Sequence, residues 1–495
     1  MDTAWRIRPP QPQARRPRVG KGGLACLAAV AAAFTVAQLL FVALRVDLGW
    51  DETVYVSQVT PHIPAAFFSA PRARGVPVLV APLAALTSST HALRVYLAVL
   101  SGVGLFLALA VWRKLLPTPV PALAGVLFAG LWTTQLYGPQ AMPNLWVAFG
   151  ALAAVGCFLR AATDRADRRA LAGLGLALAV VTLFRPADAA WLALPLAAAT
   201  VWVRRWRRSA LFAVMAAGLA LGGAQWVVEA YTSYGGIAAR LHRSNAIEGG
   251  IGWHLAVDDQ LRTLDGSDEL CRPCDVPWRH HADAIWWFLL PVLTAAGLAA
   301  ATRARRLTTA LFPALCAICV SVPYLFLIDY AAPRFLLPAY ALLSLPIADF
   351  LTHLVTAARP AWRPATTTLV AALVVVQLLG QHLVLTRAVH IAAATNADYA
   401  RIATDLQALG VRQPCLITGR LATPVAYHAH CTSAQTHGHN ADTTRGQILS
   451  IAQREQVAVL VRPHHHPPHY ARTWTPYPLR GLREHAGYHV YLPPH

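Results

Sequence analysis

The chain has 495 residues, of which 56% are hydrophobic and only 13% are charged, and its mean hydropathy is +0.44. Soluble domains carry about 25% charged residues, so this composition excludes an ordinary soluble protein. Apolar runs close to the roughly 20 residues that cross a bilayer recur along most of the chain. The sequence therefore predicts a polytopic α-helical membrane protein, because helices satisfy backbone polar groups inside lipid.

Eleven transmembrane spans are predicted from these runs. In chain order they cover residues 24–44, 92–112, 120–137, 141–160, 170–184, 189–203, 209–229, 285–301, 307–328, 334–356 and 366–386. A further apolar run at 76–90 contains Pro77 and Pro82 and is short for a span. We interpret it as a re-entrant or interfacial segment that closes the first loop.

Basic residues are concentrated on one side of this eleven-span path. The connections on that side hold 21 of the 42 Lys and Arg residues and three acidic ones, Asp2, Asp164 and Asp167. Because Lys and Arg are retained on the cytoplasmic side, the N-terminal arm (1–23) is predicted to be cytoplasmic. The first apolar run is long for a cleaved signal peptide and suits an uncleaved anchor. The net charge of +19 thus indicates topology and gives no reason to expect nucleic-acid binding.

Three regions then lie outside the cytoplasm. The transmembrane domain (24–386) carries a first loop at 45–91 and a long loop at 230–284, and a tail follows at 387–495. The tail is more polar than the spans, and its short apolar runs predict buried strands beside a helix. About 100 residues can bury a core of their own, so we predict a small extracytoplasmic α/β domain.

Two adjacent carboxylates, Asp51 and Glu52, lie a few residues beyond the first span, with Tyr55 after them. Carboxylates at this depth are costly to desolvate, and those that persist usually serve a function. A solvated loop acid or a helix N-cap is the alternative interpretation. Two acids alone do not identify an enzyme.

The chain resembles the GT-C glycosyltransferases, specifically the bacterial relatives of protein O-mannosyltransferases and aminoarabinose transferases, over about residues 24–386. Three short motifs in external positions carry this resemblance. They are Asp51-Glu52-x-x-Tyr55, Phe184-Arg185-Pro186-Ala-Asp188 and Asp329-Tyr-Ala-Ala-Pro-Arg334-Phe-Leu-Leu-Pro338-Ala-Tyr340. Each motif is degenerate, but all three agree with the layout of the predicted spans.

The resemblance implies transfer of a sugar from a polyprenyl-phosphate donor to an extracytoplasmic lipid, glycan or protein acceptor, within membrane lipid. It implies inversion at the anomeric carbon and requires no metal or other cofactor. A divalent metal is compatible with the resemblance, but no residue pattern in the sequence supports one. Asp51 is expected to act as the general base, while Glu52 orients it or anchors the loop. Tyr55, Asp188 and Tyr330 are expected to contact substrate.

Two arginines fit the donor phosphate, since a guanidinium pairs bidentately with phosphate oxygens and offsets the charge that develops on a leaving group. Arg334 and Arg185 both lie near the predicted external interface. Alternatively, Arg334 is a snorkelling interfacial arginine and Arg185 is the ion-pair partner of Asp188.

The long loop and the tail add aromatic, cysteine and histidine residues. Trp253 and His254 suit stacking against a sugar, although interfacial aromatic belts are the commoner arrangement. The C-x-x-C pair in the long loop is half a zinc site, a redox pair or a disulfide. Because both regions face an oxidising compartment, disulfides are favoured. The predicted pairs are Cys271 with Cys274 and Cys415 with Cys431. No metal site is expected from the tail histidines, which fit a solvated loop.

A polytopic transporter and a non-catalytic membrane scaffold are the alternative classes. Transporters usually place charges or broken helices near the bilayer midplane and often contain repeated halves. In this sequence the acids are concentrated at external helix ends, and no internal repeat is found. The glycosyltransferase is therefore the favoured hypothesis.

Overall fold

The computed structural model describes residues 21–267, 269–272, 274, 277–438 and 440–494. Most of the predicted N-terminal arm lies outside the described residues. Sixteen α-helices precede a sheet in the described part of the chain. They are α1 (Lys21–Gln38), α2 (Trp50–Val56), α3 (Gly75–Ala84), α4 (Thr90–Ala110), α5 (Pro119–Ala129), α6 (Trp132–Tyr137), α7 (Asn144–Thr163), α8 (Arg168–Phe184), α9 (Pro186–Trp202), α10 (Ser209–Ser233), α11 (Ile237–Ile247), α12 (Val257–Arg262), α13 (Ile285–Arg303), α14 (Leu307–Phe326), α15 (Leu337–Ala357) and α16 (Arg363–Ala408).

Eight segments of the described chain are long and apolar enough to cross a membrane, each at a predicted span. They are Gly22–Ala43, Thr90–Lys114, Asn144–Thr163, Ser209–Ser233, His281–Arg303, Leu307–Phe326, Leu337–Ala357 and Arg363–Ala408. The chain is therefore a multi-pass α-helical membrane protein, as the sequence predicted.

The other three predicted spans are helical but shorter than the ~20 residues of a full crossing. The run at 120–137 is divided between α5 and α6, and α8 and α9 have 17 residues each. The eight long segments alone therefore meet the length criterion. The proline-containing run at 76–90 forms α3, whose ten residues cannot cross a bilayer.

Helix α7 occupies the centre of the bundle, where it packs against α4, α8 and α15. Most of its side chains are buried. Peripheral helices instead expose apolar side chains such as Leu176, Leu221 and Leu383. This distribution is expected in lipid, because apolar side chains face the hydrocarbon on the outside of the bundle.

Helix α16 has 46 residues and joins the membrane part to the tail. At 1.5 Å per residue it is about 69 Å long, roughly twice the thickness of the hydrocarbon core. The predicted boundary at residue 387 falls inside this helix, so the transition from span to tail is continuous helix.

The tail is a five-stranded α/β unit, which confirms the predicted fold class. Its elements are β1 (Cys415–Gly419), α17 (Ala422–Ala429), β2 (Thr432–Ala434), α18 (Arg445–Ala452), β3 (Gln456–Val461), β4 (Thr475–Pro478) and β5 (His489–Leu492). The strand order is β2-β1-β3-β5-β4. Strand β1 is parallel to β2 and β3, whereas β5 is antiparallel to β3 and β4.

Both cysteine pairs expected from the sequence are bonded in the structure. Cys415 begins β1 and Cys431 immediately precedes β2, so their disulfide connects two neighbouring strands. The Cys271–Cys274 disulfide lies in the long loop. There the backbone of Cys271 exchanges two hydrogen bonds with Ala331, which ties this loop to the segment before α15.

Candidate active site

A cavity of about 840 Å³ lies between the ends of the membrane helices and the tail sheet. Its membrane-side wall consists of residues from the first loop, the long loop and helix ends, and its tail wall consists of loops after β1, β2 and β3. The membrane-side wall includes Trp50, Asp51, Glu52, Tyr55, Arg72, Tyr137, Gln140, Asn144, Arg185, Glu248, Glu269, Arg272, Tyr330 and Arg334. The tail wall includes Thr418, Arg420, Gln435, His437, Asn440, Arg462, His465, His466 and Tyr470.

Asp51 lies in the first turn of α2 and binds two arginines at once. Its Oδ1 is 2.6 Å from Nη2 of Arg72, and its Oδ2 is 2.9 Å from Nη2 of Arg334. Burial raises the pKa of the Asp51 carboxyl, but the charges of Arg72 and Arg334 lower it by more. The net pKa lies below the ordinary aspartate value, so Asp51 is ionised at neutral pH.

Arg72 and Arg334 each make further contacts with residues other than Asp51. The Arg72 guanidinium lies 4.9 Å from the ring centre of Tyr55, and its Nε donates to Ser69 Oγ at 3.2 Å. Arg334 is nearly buried, and its Nη1 donates to the carbonyl oxygen of Glu269 at 2.8 Å. Arg334 is therefore a fixed part of the cavity wall, and Tyr55 supports Arg72 through a cation–π contact.

Glu52 is buried and has a different set of partners. Its two carboxylate oxygens lie 2.5 and 2.7 Å from the guanidinium nitrogens of Arg94. They also accept from the backbone N–H groups of Gly49 and Ala141, at 2.9 and 2.6 Å. Arg94 further donates to the carbonyl oxygens of Val46, Asp47 and Pro139. Glu52 and Arg94 therefore anchor the first loop to α4 and to the segment before α7.

Arg185 lines the cavity, whereas Asp188 is buried behind it. Nε of Arg185 is 3.3 Å from Oδ2 of Asp188, and the Tyr324 hydroxyl donates to Oδ1 of the same carboxylate. The Arg185 guanidinium lies 5.6 Å from the ring centres of both Tyr324 and Phe335. Asp188 therefore orients Arg185 through Oδ2, while Oδ1 of Asp188 accepts the hydrogen bond from Tyr324.

Tyr330 also reaches the cavity. Its hydroxyl donates to the Glu248 carboxylate, and the Arg272 guanidinium lies 4.3 Å from its ring centre. Glu248 and Arg272 belong to the long loop. This loop therefore contributes charged residues to the site, whereas the sequence had indicated its aromatic residues.

Trp253 and His254 lie apart from this constellation and are absent from the described lining of the cavity. Trp253 is 81% exposed and stacks on Phe326 at 5.6 Å, while His254 pairs with Asp259 at 3.1 Å. The reason is local backbone pairing. The N–H of His254 donates to the carbonyl of Phe326 at the end of α14, which directs this part of the loop along that helix.

No protein-family model and no curated protein matches the sequence. Solved structures do resemble the fold. ArnT from Cupriavidus metallidurans, bound to undecaprenyl phosphate, aligns with a TM-score of 0.65 at 13% identity, over 96% of this chain and 98% of ArnT. The archaeal oligosaccharyltransferase AglB from Archaeoglobus fulgidus, in complex with an inhibitory peptide and a dolichol-phosphate, aligns with a TM-score of 0.51 at 13% identity, over 83% of this chain and 64% of AglB.

At these identities the likeness establishes the fold. The chain has the fold of these two transferases, which is the GT-C-like fold class expected from the sequence.

Proposed function

We propose that this protein is a membrane glycosyltransferase that moves a sugar from a polyprenyl-phosphate donor to an extracytoplasmic acceptor. The observation that carries the proposal is the Asp51 carboxylate, held between Arg72 and Arg334 in a cavity between the membrane helices and the tail. A carboxylate beside two guanidinium groups provides both a proton acceptor and anion-binding sites.

In the proposed reaction the acceptor oxygen attacks the anomeric carbon while the bond from that carbon to the phosphate oxygen breaks. The electron pair leaves with the phosphate, and the proton of the acceptor passes to Asp51. A single displacement of this kind inverts the anomeric carbon. Arg334 and Arg185 offset the charge on the departing phosphate, so the proposed chemistry uses no metal.

The ion pairs of Asp51 with Arg72 and Arg334 also make the basicity of Asp51 depend on donor binding. When a donor phosphate binds Arg334, the positive charge available to Asp51 is partly neutralised. The pKa of Asp51 then rises from its lowered value, because burial continues to raise it. Asp51 thereby becomes a better base in the complex than in the free protein, while Glu52 anchors the loop.

The basic connections on one side of the predicted eleven-span path support an orientation with the N-terminus in the cytoplasm and the tail outside. The cavity, which lies at the tail end, would then open to the extracytoplasmic side. There it meets lipid-linked donors and extracytoplasmic lipid, glycan or protein acceptors.

The tail is proposed to select the acceptor, because it forms the second wall of the cavity. Deleting it is a poor test, since Nδ2 of Asn396 donates to the carbonyl oxygen of Asp47 at 2.7 Å and α17 packs against α2. Removal of the tail would therefore disturb the loop that holds Asp51. Point substitutions on the tail wall test acceptor selection without disturbing the loop that holds Asp51.

The proposal is tested by transfer from a panel of radiolabelled polyprenyl-phosphate sugars in membranes containing wild-type protein or Asp51→Asn at matched expression. Asparagine keeps the shape and removes the charge, so we expect transfer to fall by about 10²–10⁴-fold. Asp258→Asn is the control, since Asp258 is an exposed acid paired with Arg262.

Equal transfer by wild type and Asp51→Asn would remove Asp51 from the mechanism. Absence of transfer from every donor, with the protein folded, would favour the transporter or the scaffold.

A further inference from the structure

A buried amide on the membrane-side wall of the cavity is left without partners. Asn144 is the first residue of α7 and is 0% exposed. Neither its Oδ1 nor its Nδ2 has a hydrogen-bond partner among the described residues, yet it lines the cavity. Buried polar atoms are normally hydrogen-bonded, because leaving them unpaired destabilises the fold. This amide therefore points to a ligand inside the cavity.

The backbone around Asn144 is fixed by the network of Glu52. The N–H of Ala141 donates to Oε1 of Glu52 at 2.6 Å, and the carbonyl oxygen of Pro139 accepts from Arg94 at 2.9 Å. These bonds hold the segment between α6 and α7 against the start of α2. Asn144 is thus held rigidly on the wall that carries Asp51.

Tyr137, at the end of α6, connects this corner to the phosphate-binding arginine. Its ring centre is 5.7 Å from the guanidinium of Arg334, which itself lies 2.9 Å from Asp51. Tyr137, Gln140 and Asn144 all line the cavity and are almost completely buried. A ligand whose phosphate is bound by Arg334 would lie beside Tyr137, in the cavity that Gln140 and Asn144 also line.

The chemistry of an amide limits what that group is. Asn144 offers two donors on Nδ2 and an acceptor on Oδ1. A phosphate oxygen accepts hydrogen bonds and would leave Oδ1 unpaired, whereas neighbouring hydroxyl groups both donate and accept. A pair of hydroxyls on a sugar ring satisfies both ends of the amide.

We infer that Asn144 hydrogen-bonds hydroxyl groups of the donor sugar and determines which sugar the enzyme accepts. This inference rests on the proposed function, since it assigns the sugar-binding part of the same site. Asn144 supplies specificity for the sugar, whereas Arg334 supplies affinity for the carrier.

The test measures binding of two ligands to purified full-length protein in lipid nanodiscs. One ligand is undecaprenyl phosphate, and the other is undecaprenyl phosphate carrying the sugar that is active in the transfer assay. The ratio of the two Kd values isolates the contribution of the sugar. In wild-type protein we expect undecaprenyl phosphate that carries the sugar to bind about 10- to 100-fold more tightly than undecaprenyl phosphate alone.

Asn144→Leu is the decisive variant because leucine has a similar size and no polar atoms. We expect the ratio to fall to about one, with unchanged affinity for undecaprenyl phosphate. The Tm of the ligand-free variant should be unchanged or higher, since two unpaired buried atoms are removed. The matched control is Gln381→Leu, because Gln381 is a buried amide whose Oε1 accepts from the N–H of Trp132 at 3.0 Å. This control should lower the Tm and keep the ratio.

An unchanged ratio in Asn144→Leu would overturn the inference and leave the proposed function intact. A drop in Tm like that of Gln381→Leu would also overturn it, because Asn144 would then be a structural amide. If wild-type protein binds neither ligand, the proposed function fails and the inference fails with it.

Discussion

The two walls of the cavity are built differently. On the membrane side, Asp51, Glu52 and their arginine partners form close ion pairs between segments far apart in the sequence. On the tail side, Arg420, His437 and His465 are exposed in loops after the strands. The described lining of the tail wall contains no Asp or Glu. A fixed set of charges suits the reacting atoms, which benefit from preorganisation, whereas exposed loops suit recognition of an acceptor.

The topology of the tail explains why its loops face the site. Strand β1 is connected through α17 to β2 on one side, and β3 pairs with it on the other side. Ligands of open α/β sheets bind outside the carboxyl ends of the strands at such a switch point. The residues after β1 and β3, including Arg420 and Arg462, lie there and line the cavity.

The largest expected effect comes from breaking the anchor of the membrane-side wall. Glu52→Gln leaves the buried Arg94 without a counter-charge, and breaking a buried pair in this way costs about 3–5 kcal/mol. Denaturant unfolding in detergent should show this loss in the free energy of unfolding. Asp258→Asn, at an exposed pair, should change it by less than about 1 kcal/mol. A Glu52→Gln variant as stable as wild type would contradict the assignment of Glu52 and Arg94 as the anchor of this wall.

Arg334→Gln should separate donor binding from acceptor binding. Removal of the guanidinium should weaken binding of undecaprenyl phosphate by roughly 10- to 100-fold, because a charge-assisted bond is lost. Isothermal titration in nanodiscs measures this change, with Arg420→Gln on the opposite wall as the control. Equal weakening in both variants would mean that the carrier contacts the tail wall as well.

The pH dependence of transfer should report the lowered pKa of Asp51. A general base must be ionised, so activity is retained until the pH falls through this lowered pKa. Arg72→Gln removes one positive charge while burial continues to raise the pKa, so the acid limb of kcat/KM should move to higher pH. An acid limb at the same pH in both proteins would show that another group limits the rate.

The smallest expected effect is on the tail wall. Arg420→Gln and Arg462→Gln should raise the KM for an anionic acceptor by about 3- to 10-fold, because an exposed charge contributes modestly. The KM for the donor should not change. Initial rates with either substrate varied distinguish the two constants, and an effect confined to the donor would contradict the assignment of this wall to the acceptor.

Part of this site was accessible from the sequence. The three sequence motifs identified Asp51, Arg185 and Arg334, and the structure places Asp51 and Arg334 in contact across 283 positions. No motif in the sequence indicates Arg72 or Arg94 as site residues. A signal for Arg94 did exist, because it is a charged residue within the apolar run predicted as the second span.

Asn144 and Tyr137 carry no comparable signal. An asparagine at a helix start is ordinarily interpreted as a local cap or turn residue. That its amide is unpaired inside a cavity depends on the packing of α2 against the segment before α7. The aromatic pair Trp253 and His254 had the composition of a sugar site, but backbone pairing with α14 places both outside the described lining.

The sequence by itself determined the membrane class, the positions of the long apolar helices and the α/β character of the tail. These properties depend on local hydropathy and periodicity, which each segment carries independently of its neighbours. Only the tertiary structure decided that Asp51 lies between two arginines, that Glu52 serves as an anchor, and that the tail closes the cavity. Such contacts join residues far apart in the chain, so no local pattern encodes them.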